Sequence, residues 1–420
     1  MSSTGCPHLA GYAPLSDEQL TDPFPVWKHA QDTCPVFFAP EFGVWTVTRY
    51  EDVVRILEDP ETFANGGTLG GHRVPAKYRD EFPDGVWSNS ALINRDGEDH
   101  KKAKVLAQRA FIPSRVNRMR PAMEVLADEL LDPLVERGHG DLMTEFANPF
   151  TIGTITRALG LPDADAADIR QVTEDALVIL TPGNDDGDPD DGDAGYTTDQ
   201  LERFDRVVQF NRYLRTVIAD KRSAPDEGVI SALVHARIDG GQLSDDDVAG
   251  MVLEQLIAGN DTAANMIGHA VYYLSRQPEL WAAVAGDPAL LPRVVEETVR
   301  RRSPSKGLFR RATRDVTLGG AEIPAGQLVH VLWAAANTDE RQFPDPLSMQ
   351  LGRENIDTHV GFGRGEHRCL GPLVARLEGV VALGAVFRRL GTVTITEPEP
   401  LRYAPALTNV SLMSLQASWG

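Results

Sequence analysis

Cys369 lies where a glycine-rich loop meets an amphipathic helix, in the segment HVGFGRGEHRCLGPLVARLEGVVALGAVF. Backbone N–H groups at a helix N-terminus stabilise a thiolate relative to a thiol. Three basic side chains close in sequence, Arg364, His367 and Arg368, act in the same direction. The segment therefore indicates a stabilised thiolate, for which metal ligation is one option among several.

Glycines in this loop favour a close approach between its backbone and a flat ligand. Gly363, Gly365 and Gly371, with Phe362, allow tight packing around the sulfur. A zinc site is excluded, because no second cysteine lies within a few residues and the nearby histidines are single. One axial thiolate is enough for haem.

A second set of polar residues interrupts a long apolar helix. Ser244 and Asp247 predict a capping box, and the helical pattern continues to Gln277 without proline. Gly259 to Thr262 then place a glycine, an acid and an alcohol inside the apolar stretch, where a buried carboxylate is costly unless paired. Two interpretations stay open. One is a kink in which Thr262 bonds a backbone carbonyl and Asp261 meets a cation; the other is a ligand-facing site where Asp261 and Thr262 relay protons.

The surrounding elements predict a mainly α fold with a small β region. PFPVWKHAQDTC predicts a short helix, VFFAPEFGVWTVTR a hairpin, and helical periodicity dominates from about Glu51. No internal repeat or flexible linker is visible. We expect an irregular N-terminus over residues 1–22 and one domain over residues 23–420.

Composition excludes several classes of protein. Acidic residues (61) outnumber basic ones (41), for a net charge of -20, which disfavours nucleic acid and anionic membranes as partners. No run of about 18 apolar residues occurs, so we expect a cytoplasmic protein. We also expect a monomer. Three scattered cysteines (Cys6, Cys34, Cys369) argue against a disulfide framework.

The segment from Phe362 to Gly371, FGRGEHRCLG, resembles the haem-binding loop of the cytochrome P450s. The run from Ala258 to Thr262, AGNDT, resembles the oxygen-activating motif of that family. Glu297 and Arg300 resemble its Glu-x-x-Arg pair, and Arg353 falls where the third member is expected. Alone, such a pair is equally typical of a helix surface. The resemblance extends from about Pro23 to the C-terminus and implies that haem lies between the long helix and the cysteine-loop helix.

The resemblance also implies which side chains hold haem b. Cys369 would be the metal ligand, and His100, Arg310 and His367 would contact the propionates. Lys104 replaces the arginine that the family often has, which keeps the charge and loses bidentate geometry. Further cofactor contacts are expected in the two motifs, at Phe362, Gly363, Gly371 and Ala258.

A haem-thiolate monooxygenase is the implied activity, with Asp261 and Thr262 as catalytic residues that deliver protons. Three scattered cysteines cannot supply a four-ligand iron–sulfur cluster. A separate iron–sulfur ferredoxin and an NAD(P)H-dependent ferredoxin reductase are therefore expected. The donor is predicted to dock near four basic residues on the cysteine side, namely Lys101, Lys102, Arg109 and Arg368.

By resemblance, the pocket takes a hydrophobic small molecule. Its expected walls are Gly66 to Arg95, the stretch around Pro182, Leu256 to Ala258, Pro304 to Phe309, and Leu407 to Val410. Possible polar anchors are Trp87, His72, Arg73, Lys77 and Lys306. The acidic stretch Gly183 to Gly195 lacks the Gly and Glu positions of a calcium loop and is predicted to be a solvated loop, with a possible role as a lid.

Other classes stay open from the sequence. A haem-thiolate enzyme could use peroxide, couple carbon atoms or nitrate its substrate, although Asp261 and Thr262 weigh against peroxide use. A haem gas sensor or carrier would need neither the acid–alcohol pair nor a substrate route.

Overall fold

The computed structural model describes residues 8–68, 74–82, 91–180, 196–237 and 241–420. These form two compact units. The first unit combines Met1–Phe63, Pro113–Thr154 and Gly259–Gly420, and the second combines Ala64–Ile112 and Ile155–Ala258. The predicted acidic lid, Pro182 and three of the predicted anchors (His72, Arg73, Trp87) lie outside the described residues.

Helices dominate both units. In chain order they are α1 (Asp17–Thr21), α2 (Phe24–Thr33), α3 (Tyr50–Glu58), α4 (Gly97–Gln108), α5 (Pro113–Arg137), α6 (Asn148–Leu159), α7 (Ala166–Leu180), α8 (Thr198–Ser223), α9 (Val229–His235), α10 (Asp245–Ser275), α11 (Pro278–Gly286), α12 (Leu291–Arg301), α13 (Trp333–Ala336) and α14 (Pro372–Leu390). No described helix is both long enough and apolar enough to cross a lipid bilayer.

The strands are short. They are β1 (Val36–Ala39), β2 (Val44–Val47), β3 (Phe63–Ala64), β4 (His139–Asp141), β5 (Leu308–Ala312), β6 (Val316–Leu318), β7 (Ala321–Ile323), β8 (Leu328–Val331), β9 (Val393–Ile395), β10 (Tyr403–Ala404), β11 (Ser411–Leu412) and β12 (Gln416–Trp419). The predicted mainly α fold with a small β region is confirmed.

The largest sheet has the strand order β1-β2-β8-β5-β3. β1 and β2 form the predicted antiparallel hairpin, and β2 pairs in parallel with β8. Valines at alternate positions, including Val36, Val47, Val329 and Val331, are almost fully buried on one apolar core. Burial of these β-branched side chains fixes the register of the sheet.

A small hairpin near the C-terminus positions one part of the site. β10 and β11 are antiparallel, with Tyr403 opposite Leu412 and Ala404 opposite Ser411. The hairpin contacts α10 through hydrogen bonds that are described with the site.

Local sequence signals account for where the two helices that carry the site begin. At α10, Ser244 N–H donates to Asp247 Oδ2 at 2.9 Å and Asp247 N–H donates to Ser244 Oγ at 3.1 Å, so the predicted capping box is confirmed. α14 begins at Pro372, whose fixed φ suits a first helical position.

The N-terminal stretch predicted to be irregular contains α1. Ser16 caps this helix by accepting a hydrogen bond from Gln19 N–H at 3.3 Å. Asp17 and Glu18 in its first turn favour the same start through the helix dipole. A single turn and a half is too short for periodicity to predict it.

Candidate active site

The cysteine loop has a shape set by its backbone. Cys369 N–H donates to the carbonyl oxygen of Phe362 at 2.8 Å, which closes the loop just before α14. Gly363 and Gly365 adopt φ values of +67° and +71°, a region that favours glycine. A Cβ on Gly365 would lie 2.2 Å from the carbonyl oxygen of Leu57. The thiol of Cys369 is exposed at the mouth of this loop.

A partly buried ion pair lies beside the cysteine loop. The Arg376 guanidinium lies 4.6 Å from the centroid of the Phe362 ring and donates to Glu296 Oε2 at 3.0 Å. His359 Nε2 contacts the same oxygen at 2.8 Å. Burial opposes ionisation of Glu296, yet these hydrogen bonds lower its pKa to about 2. Hydrogen bonding to Glu296, and to a lesser degree the charge of Cys369, raises the pKa of Arg376, so a permanent cation favours the thiolate.

Sequence reasoning missed Glu296, His359 and Arg376. Their association joins α12, the segment before the cysteine loop and α14, which are far apart in the chain. The one signal in the sequence is that Glu296 directly precedes Glu297, which places two acids on different faces of one helix.

Asp261 on α10 is held by two neutral donors. Its Oδ1 accepts from Asn265 Nδ2 and its Oδ2 accepts from Ser411 Oγ, both at 2.9 Å. Burial raises the pKa of Asp261 to about 6, although both hydrogen bonds act to lower it. No cation pairs with Asp261 among the described residues, and α10 remains helical throughout. The basic neighbour that the kink interpretation requires for Asp261 is therefore not found in this part of the chain.

Around Asp261 the helix presents small and polar groups. Ala258 is exposed although Leu256 and Ile257 just before it are buried, and Thr262 is half-buried. Asn260 points into the protein, where its Oδ1 accepts from Thr151 Oγ1 at 2.9 Å. An exposed alanine inside an apolar helix leaves room for a ligand there.

The structure brings Glu297, Arg300 and Arg353 together. Arg300 donates to Glu297 through Nε and Nη2, both at 2.8 Å, and Arg353 Nε donates to Glu297 Oε1 at 3.1 Å. Both members of the helical pair are 0% exposed and Arg353 is 6% exposed. The alternative of a surface pair is thereby excluded.

The predicted propionate partners divide between the two units. Arg310 lies on β5 at 5% exposure, and His367 lies half-buried in the turn that precedes Cys369. In the second unit, α4 carries His100 at 1% exposure and Lys104 partly exposed. Arg310 Nη1 donates to the carbonyl oxygen of Phe309 at 2.8 Å.

Two predicted anchors lie among the described residues. Lys77 Nζ donates to Asp205 Oδ1 at 2.5 Å on the surface of the second unit, so its charge is already compensated. Lys306 is buried at 7% exposure and its ammonium donates to the carbonyl oxygen of Ala406. Burial lowers the pKa of Lys306 to about 7. Lys306 is the stronger candidate for an anionic substrate group.

The residues present fit a haem. An exposed thiol stands beside a permanent cation, the loop glycines leave backbone unscreened by side chains, and a Cβ on Gly371 would meet nothing within 4 Å. Among the described residues, no cluster of three His, Cys, Asp or Glu side chains offers a metal site of another kind.

Comparison with known proteins decides the family. The sequence pattern of the cytochrome P450 family matches residues 38–287 and 288–413. The chain belongs to the cytochrome P450s. It is 35% identical over 365 residues to cytochrome P450 107B1 of Saccharopolyspora erythraea, which covers 86% of this chain and 85% of that protein.

A further relative and a solved structure are also similar to this P450. Vitamin D(3) 25-hydroxylase of Pseudonocardia autotrophica is 33% identical over 370 residues, covering 87% of this chain and 86% of the relative. The structure of cytochrome P450 CYP109Q5 from Chondromyces apiculatus matches with a TM-score of 0.82 at 30% identity, over 96% and 97% of the two chains.

Family membership identifies the class of reaction. The P450 is an oxidoreductase, a haem-dependent monooxygenase with a haem-thiolate cofactor. Roles of individual residues, the electron donor and the substrate are the subject of the proposal that follows.

Proposed function

We propose that this P450 inserts one oxygen atom from O2 into a hydrophobic small organic molecule, with haem b held by Cys369. The observation that carries the proposal is the environment of Asp261: a carboxyl group held by two neutral donors, with its pKa raised to about 6. A group with a pKa near neutrality both accepts and releases protons at physiological pH.

The chain's own residues then have separate tasks. Cys369 ligates the iron, and the Arg376 cation keeps the sulfur ionised. Arg310, His367, His100 and, more weakly, Lys104 hold the propionates. Asp261 and Thr262 hold and transfer the protons that oxygen activation consumes. When bound, the haem supplies the redox chemistry of oxygen activation.

Electrons come from a separate ferredoxin and reductase. All four side chains predicted to receive the donor, Lys101, Lys102, Arg109 and Arg368, are exposed. Their positive charge contrasts with the net charge of -20 on the chain, and such contrast attracts an acidic donor.

We propose that the substrate is a small apolar molecule. One relative, 33% identical, is named for hydroxylation of vitamin D(3). The buried Lys306 adds a group that would bind a carboxylate or another acceptor on such a molecule, since a buried ammonium gains most from an anion.

Carbon monoxide binding tests the thiolate ligand. The reduced protein with carbon monoxide is expected to absorb at the position typical of thiolate-ligated haem, and Cys369→His should move the band to the position of a neutral ligand. A wild-type band at the neutral-ligand position would contradict the proposal.

A spin-state titration tests the substrate class. Sterols and other apolar ligands should shift the absorption spectrum of the haem-loaded protein from the low-spin to the high-spin form. If no apolar ligand shifts the spectrum, and only the binding of a gas changes the conformation of the protein, the function is better assigned as a haem gas sensor. Oxygen insertion driven only by peroxide would favour the atypical enzyme.

A further inference from the structure

Asp261 receives its two hydrogen bonds from groups that differ in what they can do. Asn265 Nδ2 donates to Oδ1 at 2.9 Å and also to the backbone carbonyl of Asp261 at 2.8 Å. The Asn265 Oδ1 accepts from Leu412 N–H at 2.7 Å. Every polar atom of this amide is engaged, and an amide does not readily exchange a proton. Asn265 therefore orients the carboxyl group of Asp261 and does not supply protons to it.

Ser411 is chemically different. Its hydroxyl donates to Asp261 Oδ2 at 2.9 Å and keeps two lone pairs that can accept from water. The residue is half-buried, and Met413, two positions further along the chain, is 53% exposed. The strand that carries Ser411 thus reaches the surface of the protein.

The hairpin that carries Ser411 is fixed to α10 at three successive turns. Asp261, Asn265 and His269 are spaced by four residues, so they lie on one helix face. Ser411 contacts the first, Leu412 the second, and the Tyr403 hydroxyl lies 3.1 Å from Nε2 of the third.

The last of these contacts has a defined proton arrangement. His269 Nδ1 lies 2.7 Å from the carbonyl oxygen of Asn265, so Nδ1 carries the hydrogen and Nε2 accepts from Tyr403. Burial, assisted by Arg302, lowers the pKa of His269 to about 3 and keeps it neutral. The contact between His269 and Tyr403 anchors the hairpin to α10. The register of the hairpin then places Ser411 beside Asp261.

We infer that Ser411 is the positioning residue through which solvent protons reach Asp261. The step is balanced: the hydroxyl passes its proton to Asp261 Oδ2 as it accepts one from a protonated solvent water, which leaves as neutral water, so that Ser411 is unchanged and no electrons move. Asp261 then releases its proton on the side of Thr262. This inference rests on the proposed role of Asp261 and Thr262 and adds the entry point of the proton.

The groups that act on Asp261 are few. Burial raises the pKa of Asp261, and among the described residues the hydrogen bonds from Ser411 and Asn265 lower it. His269, two turns along, is neutral. Removal of the Ser411 hydroxyl therefore has one predicted sign: the pKa of Asp261 rises.

The experiment compares Ser411→Ala with Ser411→Thr, which keeps the hydroxyl, and with Ser414→Ala as a nearby control. The haem-loaded proteins are reduced through a surrogate ferredoxin and reductase without added substrate, and oxygen consumption is divided into water and peroxide in H2O and in D2O. Ser411→Ala should raise the peroxide fraction several-fold and increase the solvent isotope effect. Ser411→Thr and Ser414→Ala should match the wild type.

Infrared difference spectroscopy gives a readout independent of turnover. The carboxyl band, assigned by its loss in Asp261→Asn, should titrate about one pH unit higher in Ser411→Ala. An unchanged peroxide fraction and isotope effect in Ser411→Ala would overturn the inference, as would a threonine variant as defective as alanine.

The inference and the proposed function fail differently. If Asp261→Asn and Thr262→Ala raise the peroxide fraction and Ser411→Ala does not, only the role of Ser411 is wrong. If none of the three variants changes it, the acid–alcohol pair itself does not deliver protons. Preserved carbon monoxide spectra in all variants show that the haem site is intact.

Discussion

Arg300 and Glu297 form a two-pronged ion pair in which both N–O distances are 2.8 Å and neither side chain is exposed. Two backbone carbonyls, of Asn337 and Pro346, accept two further guanidinium hydrogens. Removal of one charge would leave the other buried without compensation, which is far more costly than losing a surface pair.

Glu297→Gln should therefore destabilise the protein by about 3–5 kcal/mol. The matched control is Glu98→Gln, because Glu98 and Lys101 have the same order and spacing and are exposed; that change should cost at most about 0.5 kcal/mol. Thermal unfolding of both variants measures the difference. Equal losses would show that burial of the pair is unimportant.

Thr262→Ala should uncouple the enzyme. Loss of the alcohol beside Asp261 removes one step of proton transfer, so reductant is consumed and peroxide is released while product per electron falls at least about tenfold. Product and peroxide are measured with a ligand selected by spin-state titration. Thr262→Ser, which keeps the hydroxyl, should remain coupled, and retained coupling in the alanine variant would assign the transfer to another group.

Asp261→Asn should stabilise the protein at alkaline pH. The folded pKa of about 6 lies above the ordinary value of 3.8, so ionised Asp261 costs stability above pH 6 and that cost disappears as the pH falls below 3.8. The difference between the folded and the ordinary pKa sets an upper limit of about 3 kcal/mol on the gain in stability. Partial exposure of the side chain reduces the expected gain to about 1 kcal/mol.

Unfolding at pH 8 and at pH 5 checks this sign. The gain for Asp261→Asn should be larger at pH 8. Asp163, whose pKa is lowered by its hydrogen bond with Arg157, is the opposite case, and Asp163→Asn should give no gain at pH 8. A uniform gain for Asp261→Asn at both pH values would mean that its charge is not the cause.

Charge reversal at the predicted docking site should slow reduction. Lys101→Glu with Lys102→Glu removes attraction for an acidic ferredoxin, so the reduction rate should fall about tenfold at low salt and depend less on ionic strength. Arg170→Glu, an exposed change on α7, serves as control. The reduction rates of both variants are measured by stopped flow. A rate in the double variant equal to that of the wild type would show that the donor docks on another surface.

Local features of this P450 were accessible from the sequence. The start of α10 could be predicted from Ser244 and Asp247 alone, which are three residues apart. The loop before α14 could be predicted from its glycines and Cys369. Contacts between distant segments were accessible only where family resemblance supplied them, as for Arg353 and Glu297.

What the sequence could not indicate depends on tertiary packing. Ser411 is 150 residues from Asp261, and no periodicity or spacing relates a serine in a short strand to an acid in a helix. The same holds for Glu296 with Arg376, because a helix face that looks solvated in the sequence is covered by another helix in the fold.

Gly365 has a consequence for how tightly the cofactor is kept. Its backbone is held against the Leu57 carbonyl, at a distance that no side chain could enter, so the loop that carries Cys369 loses its conformational freedom when the chain folds. Haem binding then has less entropy to overcome. We therefore expect retention of the cofactor to depend on this contact with α3, and Gly365→Ala should speed haem loss while the sulfur itself is unaltered.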